Sequence, residues 1–525
     1  MKKILSLLSL CACLQLTGNE IDSWSSPPEI ISTLGVDASS AQTAIDGSGN
    51  AVAIWLEGDV VISKNKPISG DWGTSTQISS TGASSPQIVV DPSGNATAIW
   101  LESGVVKTAS QPFGSSWGSS TTLSGASSSS PQLAVDTATG DVIAIWATGG
   151  AIESATLLFG GSWPGSPDTL ASTASAAPQV AISSGGTVVA IWHTLNSVSS
   201  LYNINVATKT TPSGSWSVAS TISNPSLNSV YPVVAIDDLG NIFAIWYRYN
   251  LSGVVYSNVV LQGANLLVGN SWTTPVDISD SGQENPANLD AKIQCSEMGA
   301  IALWTNSIDG TSFSIETAST DSNQMWTPST VLINSLYSYA VSMNTNSEGD
   351  AFGIYMNYDT PSSSILINTV ETHIGGLLSG SWLPSTNLST GTFNAFPNIA
   401  PVLSGGTNSY ASAVWLGYDG SNTVVYSSFG TGSVISPPSN VVVTQNVNDF
   451  KVFQEYANTV TWDASSDPDL NGYAVYRNGA FLTSVDSGTL EFVDNTQLEG
   501  GPVTYGVSAA DDTGTESLVI SASFP

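Results

Sequence analysis

Charged residues are scarce in this chain, and basic ones most of all. Of its 525 residues 10% are charged, and 10 Lys and Arg stand against 41 Asp and Glu, which gives a formal net charge of −31. Globular domains usually carry about 25% charged residues. A surface this acidic repels phosphate backbones and anionic lipid headgroups, and the sequence has no Lys/Arg cluster to offset that repulsion. The composition therefore excludes nucleic acid as a partner.

Cysteine and histidine are almost missing as well. The chain holds three cysteines, two of which lie near its start, so Cys295 is the one thiol in the rest of the sequence. This excludes a disulfide framework and a cysteine metal site. Cys295 lies in a predicted strand, where we expect a small buried hydrophobe. His193 and His373 lack the Ser/Asp context of a catalytic triad, and we expect no cofactor and no metal.

Long apolar runs are also lacking, because no run beyond the N-terminus reaches the ~18–20 residues of a membrane span. Residues 1–18 instead have the pattern of a secretion signal, with Lys2 and Lys3 before a short apolar stretch. The segment Leu10-Cys11-Ala12-Cys13 resembles a bacterial lipobox. That resemblance implies a lipoprotein signal ending at residue 12 and lipidation of Cys13, and the alternative is an ordinary signal peptide. We expect export, either as a lipoprotein of the outer membrane or cell surface, held by that anchor alone, or as a secreted protein.

What the sequence does contain is a repeat. The segments Pro86–Trp100 and Pro131–Trp146 share a Pro-Gln start, an Asp, a Gly and a final Ile-Trp. Eight copies occur, spaced 45–60 residues apart, and they end at Trp55, Trp100, Trp146, Trp192, Trp246, Trp304, Tyr355 and Trp415. A fixed period of this length indicates a repeat architecture.

A second tryptophan, preceded by a Gly/Ser-rich turn, follows seven of the eight copies. These tryptophans stand at positions 72, 117, 163, 216, 272, 326 and 382. The Trp415 copy has none after it, and the missing one is Trp24, at the other end of the repeat region. Each unit reads as four short strands with period-2 apolar patterning. We therefore predict an all-β fold, an eight-bladed β-propeller over residues 22–430 in which the Trp24 strand is the outermost strand of the last blade. A linear β-solenoid is the alternative.

Several repeats carry an Asp-x-x-Gly turn, in which the Asp side chain caps the turn and the Gly takes a positive φ. Asp46, Asp91, Asp136 and Asp237 also suggest calcium, but Ca²⁺ needs about six converging oxygens and each turn supplies one Asp on a different blade. We expect structural caps. The repeats resemble sialidase-like propellers, whose chemistry requires three arginines. Arg248 is the one arginine in this region, so sialidase activity is excluded.

After a linker at 431–438 the period changes, and residues 439–525 have the size and strand spacing of an immunoglobulin-like sandwich. Trp462, the segment Asp467–Arg477 and the corner Tyr505 resemble a fibronectin type III module. This resemblance implies a β-sandwich that acts as a spacer or docking unit.

From the fourth repeat onward, the predicted loop after the Ile-Trp strand lengthens and gains aromatic and polar residues. Such residues suit a glycan or a polar peptide or protein ligand. The candidate ligand-binding residues are His193, Tyr247, Arg248, Tyr249, Asn306, Tyr358, Asp359, Tyr418 and Asp419. The alternative is variation of surface loops without a binding role.

The sequence favours a monomeric, exported, non-catalytic binding or scaffold protein. One alternative is a glycan-active hydrolase that uses two carboxylates about 5–10 Å apart, which a chain this acidic can supply. The other is a purely structural envelope protein.

Overall fold

The computed structural model describes residues 23–525 except for the segments at 69, 253–254, 281–289, 297–298, 308–312, 322, 334–337, 346–349, 360–363, 374–381, 383–384, 390–401, 406–409, 432–437, 450–453, 467–469, 478–479, 498–502, 512–516, 518–519 and 525. The predicted leader, the Cys13 site and most of the linker lie outside the described residues. The chain divides into two compact units, one of Ile21–Gly432 and one containing Ser433–Pro525. Both units consist of antiparallel β-sheet in their described parts.

The described residues of the first unit form eight sheets, which we number in chain order. The first four each have four strands. They comprise β3 (Ala38–Ile45), β4 (Ala51–Glu57), β5 (Val60–Lys66) and β6 (Thr76–Gln77); β7 (Ala83–Val90), β8 (Ala96–Glu102), β9 (Val105–Gln111) and β10 (Thr121–Thr122); β11 (Ser128–Val135), β12 (Val142–Thr148), β13 (Ala151–Leu157) and β14 (Asp168–Ala171); and β15 (Ser175–Ile182), β16 (Val188–Leu195), β17 (Tyr202–Lys209) and β18 (Ser220–Thr221).

The next three sheets have the same order. They comprise β19 (Asn228–Ile236), β20 (Ile242–Ser252), β21 (Val255–Leu266) and β22 (Val276–Asp277); β23 (Lys292–Ser296), β24 (Gly299–Ser307), β25 (Phe313–Ser319) and β26 (Thr330–Ile333); and β27 (Ser338–Thr345), β28 (Asp350–Asp359), β29 (Ser364–His373) and β30 (Thr386–Asn387). The eighth sheet combines β31 (Val402–Gly405), β32 (Tyr410–Tyr418) and β33 (Thr423–Thr431) with β1 (Ser23–Trp24) and β2 (Glu29–Ile30) from the start of the unit.

The sheets follow one another in a closed circle. The first strand of each sheet contacts the first strand of the next, and β31 of the eighth sheet contacts β3 of the first. The eighth sheet takes its outer strands from the N-terminal end, because Trp24 pairs with Gly430 and Ile30 with Tyr426 on β33. The arrangement is propeller-like, and the pairing of β1 and β2 with β33 covers the edge of the last hairpin.

The turn between the first two strands of a sheet has the predicted chemistry. Asp46 Oδ1 accepts the backbone N–H groups of Ser48 and Asn50 over 2.9 and 2.8 Å, and Asp91 caps its turn in the same way. Gly49 follows with φ +82°, a value that glycine adopts without strain. The expectation of structural caps is confirmed at these turns.

The repeat tryptophans form the core between sheets. Trp55, Trp100, Trp146 and Trp246 are fully buried on the second strand of their sheets. Each packs against the preceding sheet, as Trp100 does against Leu56 and Val61. Burying an aromatic side chain at every junction makes each pair of neighbouring sheets one hydrophobic unit.

The second set of tryptophans lies further out and joins the same pairs of sheets. Trp117 Nε1 donates to Ser63 Oγ of the preceding sheet over 3.1 Å, and Trp216 Nε1 donates to Ser154 Oγ over 2.8 Å. At the fifth sheet the residue in the place of Ser63 is Gly263, and a Cβ there would lie 2.6 Å from Trp326 Cδ1. Glycine is therefore required for Trp326 to pack.

The second unit has two sheets. One contains β34 (Ser439–Asp449), β35 (Gln454–Asp463) and β38 (Glu491–Gln497), and the other contains β37 (Ala480–Asp486), β36 (Leu470–Arg477), β39 (Val503–Asp511) and β40 (Ile520–Phe524), in those orders. Their core contains Trp462, Tyr473 and the buried Tyr505. The rings of Trp462 and Tyr473 meet edge to face, with 5.4 Å between their centroids. No helix in the described part of the chain is long and apolar enough to cross a membrane.

Candidate functional site

The residues predicted to lie in long loops instead continue the strands. In the fifth sheet, β20 and β21 stay paired as far as Ser252 and Val255, and in the seventh sheet pairing extends to Asp359 and Ser364. The prediction of loops at these positions is wrong, because the lengthened hairpins keep satisfying backbone groups by strand pairing. These hairpins open at the end of the sheets opposite the Asp turns.

His193 lies on β16 and is buried between the fourth and fifth sheets. Its Nδ1 accepts the Tyr231 backbone N–H over 3.3 Å, and its ring contacts Tyr202 and Tyr231 edge-on. Burial lowers the pKa of His193 from 6.5 to about 4. The imidazole is therefore a neutral packing group and not part of an exposed face.

The fifth sheet supplies three predicted residues, which point in different directions. Tyr247 and Tyr249 are buried in the cluster between the fifth and sixth sheets, together with Trp304. Burial raises the pKa of Tyr247, and the nearby Asp290 carboxylate adds to that effect. Arg248 instead forms an ion pair with Asp277 of its own sheet at 3.0 Å.

The remaining candidates are spread over the seventh and eighth sheets. Tyr358 is half-buried, and the Asp359 side chain lies outside the described residues. Tyr418 is 41% exposed at the end of β32. Asp419 caps the hairpin that follows, since its Oδ1 accepts the N–H groups of Ser421 and Asn422 over 2.8 Å. These backbone bonds lower the pKa of Asp419. The structure does not bring the nine predicted residues together.

A different set of side chains recurs beside the repeat tryptophans. In the first three sheets a glutamate accepts the indole N–H: Glu57 from Trp55, Glu102 from Trp100 and Glu153 from Trp146, over 2.9, 3.4 and 2.9 Å. In the fifth sheet Gln262 accepts from Trp246. Because each acceptor satisfies a buried donor, these glutamates have a structural role.

The fourth, sixth and eighth sheets depart from this pattern, because the indole nitrogens of Trp192, Trp304 and Trp415 have no hydrogen-bond partner among the described residues. In the fourth and eighth sheets no glutamate stands opposite the tryptophan, whereas in the sixth sheet one does.

Glu316 pairs with Trp304 in the register that joins Glu153 to Trp146. Nevertheless, Trp304 Nε1 has no hydrogen-bond partner among the described residues, and Glu316 Oε1 accepts from Asn306 Nδ2 instead. Asn306 Oδ1 also has no partner in the described part of the chain. The Glu316 carboxyl is thus released from the role that its counterparts have.

Burial raises the pKa of Glu316, against the opposing effect of the Asn306 and Ser329 side chains. A second carboxyl, Asp290, lies at the start of the sixth sheet and accepts from the Thr305 backbone and hydroxyl and from the Val341 N–H, at 2.9–3.2 Å. Burial raises its pKa as well. We call Glu316, Asn306 and Trp304 the sixth-sheet cluster. Asp290 bonds instead to Thr305, whose side chain points to the other face of β24, so the two carboxyl groups lie on opposite faces of this strand.

A raised pKa favours the protonated form of a carboxyl group, which is the form that a general acid requires. Sequence reasoning found Asn306 of this cluster but missed the Glu316 carboxyl group. A signal was present, because Glu316 occupies the same repeat position as Glu153 while Asn306 replaces Thr148 two residues after the tryptophan. Among the described residues, no group of three or more His, Cys, Asp or Glu side chains is placed to hold a metal ion.

The Cys295 prediction holds in part. Cys295 lies on β23, in the predicted strand, and packs against the cluster between the fifth and sixth sheets, but it is half-buried. Burial, with the charges of Asp237 and Asp238, raises the pKa of its thiol well above the usual value. A thiol held in its neutral form is a poor nucleophile.

Comparisons with known proteins reveal similarity in structure and none in sequence. No protein-family model and no curated protein matches the chain. Among solved structures, polysaccharide lyase Uly1 is similar with 8% identity over 80% of this chain and 90% of that one, at a TM-score of 0.42. An endo-arabinase from Bacteroides thetaiotaomicron is 12% identical over 58% of this chain and 93% of that one, with a TM-score of 0.28. A prolyl endopeptidase is 9% identical over 83% of this chain, with a TM-score of 0.39, and this chain spans about half (55%) of that enzyme.

These similarities correct one expectation from the sequence. The chain was expected not to be an enzyme, whereas the solved structures similar to it include a lyase, hydrolases and peptidases. A low content of histidine and arginine does not by itself decide against catalysis, because carboxyl groups alone can perform acid–base chemistry.

Proposed function

We propose that this protein is a glycan-active enzyme that acts on a polysaccharide through the sixth-sheet cluster. In the proposal Glu316 is the general acid. Most glycoside hydrolases use such a carboxyl group together with a second one, which this acidic chain has many residues to supply. The chain's acidic surface suits a neutral or cationic glycan better than a polyanionic one.

The observation that carries the proposal is the exchange of partners at Glu316. Its counterpart Glu153 accepts from Trp146 Nε1 and from Thr148 Oγ1, both at 2.9 Å, and so satisfies two donors of its own sheet. Glu316 does not bond to the equivalent tryptophan, and leaves Trp304 Nε1 without a partner among the described residues. A buried carboxyl that departs from its structural role and has a raised pKa is a candidate functional group.

The architecture proposed around this site is an eight-bladed β-propeller of residues 22–430, followed after a linker by a fibronectin type III domain of residues 439–525. The closed circle of eight sheets supports the first part. The three-plus-four strand order and the buried Trp462 and Tyr505 support the second. The N-terminal residues support export, with Cys13 as the proposed lipidation site.

The test is release of reducing ends from a panel of neutral and amino-sugar polysaccharides by the full chain, the variant Glu316→Gln and the matched control Glu153→Gln. We expect Glu316→Gln to lower kcat about 100-fold or more with KM changed little, because glutamine keeps the shape but cannot donate the proton. Glu153→Gln should keep the activity. Absence of cleavage by the wild type, or equal kcat for Glu316→Gln and wild type, would overturn the proposal.

A further inference from the structure

A cleft lies between the outer strands of the third and fourth sheets. Its volume is about 500 Å³, within the range of about 300–1,000 Å³ that is typical of small-molecule sites. One wall consists of β13, β14 and the segment before β14, and the other consists of the end of β17 and the turn that follows it. The cleft shares no residue with the sixth-sheet cluster.

Both walls of this cleft contain an insertion relative to the other repeats. In the third repeat, Leu170 stands seven positions after Trp163, whereas Leu123 stands six positions after Trp117, and the pairing of β13 with β14 shifts by one residue there. In the fourth repeat, the turn between β17 and the following tryptophan is one residue longer than the same turn in the first two repeats. The cleft is therefore a local addition to the repeat.

Lys209, at the end of β17, bonds differently from its counterparts. Lys66 and Gln111 have the same register position in the first two sheets, and each donates to a backbone carbonyl in the turn that follows it. Lys209 Nζ instead reaches the third sheet, where it donates to Asp168 Oδ2 over 3.2 Å and to Thr156 Oγ1 over 3.5 Å. The ammonium group therefore bridges the two walls of the cleft.

The bonds of this ammonium group are weak for a group so deeply buried. The Lys209 side chain is 3% exposed. Charge-assisted N–H···O bonds usually measure about 2.7–2.9 Å, and both of its oxygen contacts are longer. Its other neighbour is the ring of Trp216, whose centroid lies 4.9 Å from Nζ. Because burying an ammonium group is costly unless its three N–H groups are bonded, an acceptor bound in the cleft would stabilise it.

Asp168 is specific to this junction. It pairs with Ser154 on the neighbouring strand, and the residues in the same register position of the other sheets are uncharged. Those residues are Thr76, Thr121, Ser220, Val276, Thr330 and Thr386. The cleft thus has one positive and one negative side chain, and its lining has no net charge.

The rest of the lining combines hydroxyl groups with apolar surface. Trp216, Pro164 and Pro212 supply ring surfaces. The hydroxyl groups belong to Ser154, Thr156, Ser166, Thr169, Ser213 and Ser215. Sugars have hydroxyl groups that both donate and accept, together with apolar C–H faces that pack on rings, so this lining matches them.

We propose that this cleft binds a neutral oligosaccharide, with Lys209 donating to its oxygens and Asp168 accepting from its hydroxyl groups. An anionic ligand would meet the Asp168 carboxylate and the net charge of −31. The choice of a saccharide rests on the proposed function. The cleft then holds part of a glycan chain away from the sixth-sheet cluster.

The test is calorimetric titration of the full chain with cellohexaose, xylohexaose, mannohexaose and chitohexaose. All proteins carry Glu316→Gln, so that no hydrolysis contributes heat. We expect Lys209→Met to weaken binding about 10-fold or more, because it removes a charged donor. Ser166→Trp, at an exposed position, should abolish binding by filling the cleft while Lys209 and Asp168 stay in place. Lys66→Met is the matched control and should bind as its parent does.

Three outcomes would overturn the proposal. The first is that none of these hexasaccharides binds at about 5 mM. The second is that either Lys209→Met or Ser166→Trp leaves binding unchanged, which would make the Lys209–Asp168 ion pair a purely structural link between the sheets. The third is tighter binding of hexagalacturonate, a polyanion, than of the neutral hexasaccharides.

The same measurements separate this site from the proposed activity. Binding at the cleft, without release of reducing ends by the wild type, would refute the enzymatic proposal alone. Release of reducing ends, without binding at the cleft, would refute the oligosaccharide site alone.

Discussion

The indole nitrogen of Trp72, in the first sheet, donates to Ser427 Oγ of the eighth sheet over 2.9 Å, just as Trp117 Nε1 donates to Ser63 Oγ over 3.1 Å between the first and second sheets. The junction where the two ends of the unit meet therefore has the same bond as a junction within the repeat. Ring closure rests on ordinary inter-sheet contacts together with the pairing of β1 and β2 to β33.

Removing the serine hydroxyl should have the same effect at both junctions. We expect Ser427→Ala and Ser63→Ala each to lower the free energy of unfolding by about 1 kcal/mol, since each leaves one half-buried indole N–H without its acceptor. Urea unfolding followed by tryptophan fluorescence measures both. A several-fold larger loss of unfolding free energy for Ser427→Ala would contradict this expectation, and would show that the closing junction contributes more to stability than a junction within the repeat.

Adding a methyl group at Gly263 should destabilise the junction between the fifth and sixth sheets. The new Cβ would lie 2.6 Å from Trp326 Cδ1, so the tryptophan has to move. We expect Gly263→Ala to lower the free energy of unfolding by about 1–3 kcal/mol. The matched control is Gly125→Ala, where a Cβ meets no atom within 4 Å. Similar unfolding midpoints for the two variants would contradict the assigned packing of Trp326.

Acid should destabilise the protein through His193. Its pKa falls from 6.5 to about 4 on burial, so the unfolded chain binds a proton between these values that the folded chain does not. The contribution of His193 to stability is therefore complete above pH 6.5, decreases as the pH falls toward 4, and changes no further below it. The total loss should be about 3 kcal/mol.

Denaturant unfolding of the wild type and His193→Asn from pH 7.5 to 4 measures this effect. We expect the wild type to lose stability more steeply than the variant over this interval, while His373→Asn serves as a control for removing a histidine. Parallel curves for the wild type and His193→Asn would place the imidazole in contact with water.

The second unit should depend on Asp494. This buried carboxylate accepts from Arg477 Nη1 and from the Tyr505 hydroxyl, each at 2.7 Å. Burial, together with the bond to Asp494, raises the pKa of Tyr505 to about 12. We expect Asp494→Ala to destabilise the unit by about 3 kcal/mol, because both donors lose their acceptor. The exposed Glu491→Ala on the same strand should change stability by less than about 0.5 kcal/mol. Equal effects of the two variants, measured by thermal unfolding, would refute the role of Asp494.

Features set by short-range chemistry could be predicted from the sequence. The Asp turns are one case, because Asp46 bonds to N–H groups two and four residues away along the chain. The buried repeat tryptophans are another, because their regular spacing along the sequence can be recognised even where the loops between them differ in length. The pairing partner of Trp24 followed from a count of signatures along the chain.

The position of the candidate site depended on tertiary structure. Whether Tyr247 and Asn306 face solvent or a neighbouring sheet depends on how far each hairpin stays paired, and composition does not reveal that length. Whether Glu316 bonds to Trp304 or to Asn306 depends on side-chain geometry across two strands. The sequence by itself determined the repeat, its turns and its closure, because these rest on local bonds and periodic burial. Only the tertiary structure decided which carboxyl groups are buried, unpaired from their structural partners and altered in pKa, because those properties arise where separate sheets meet.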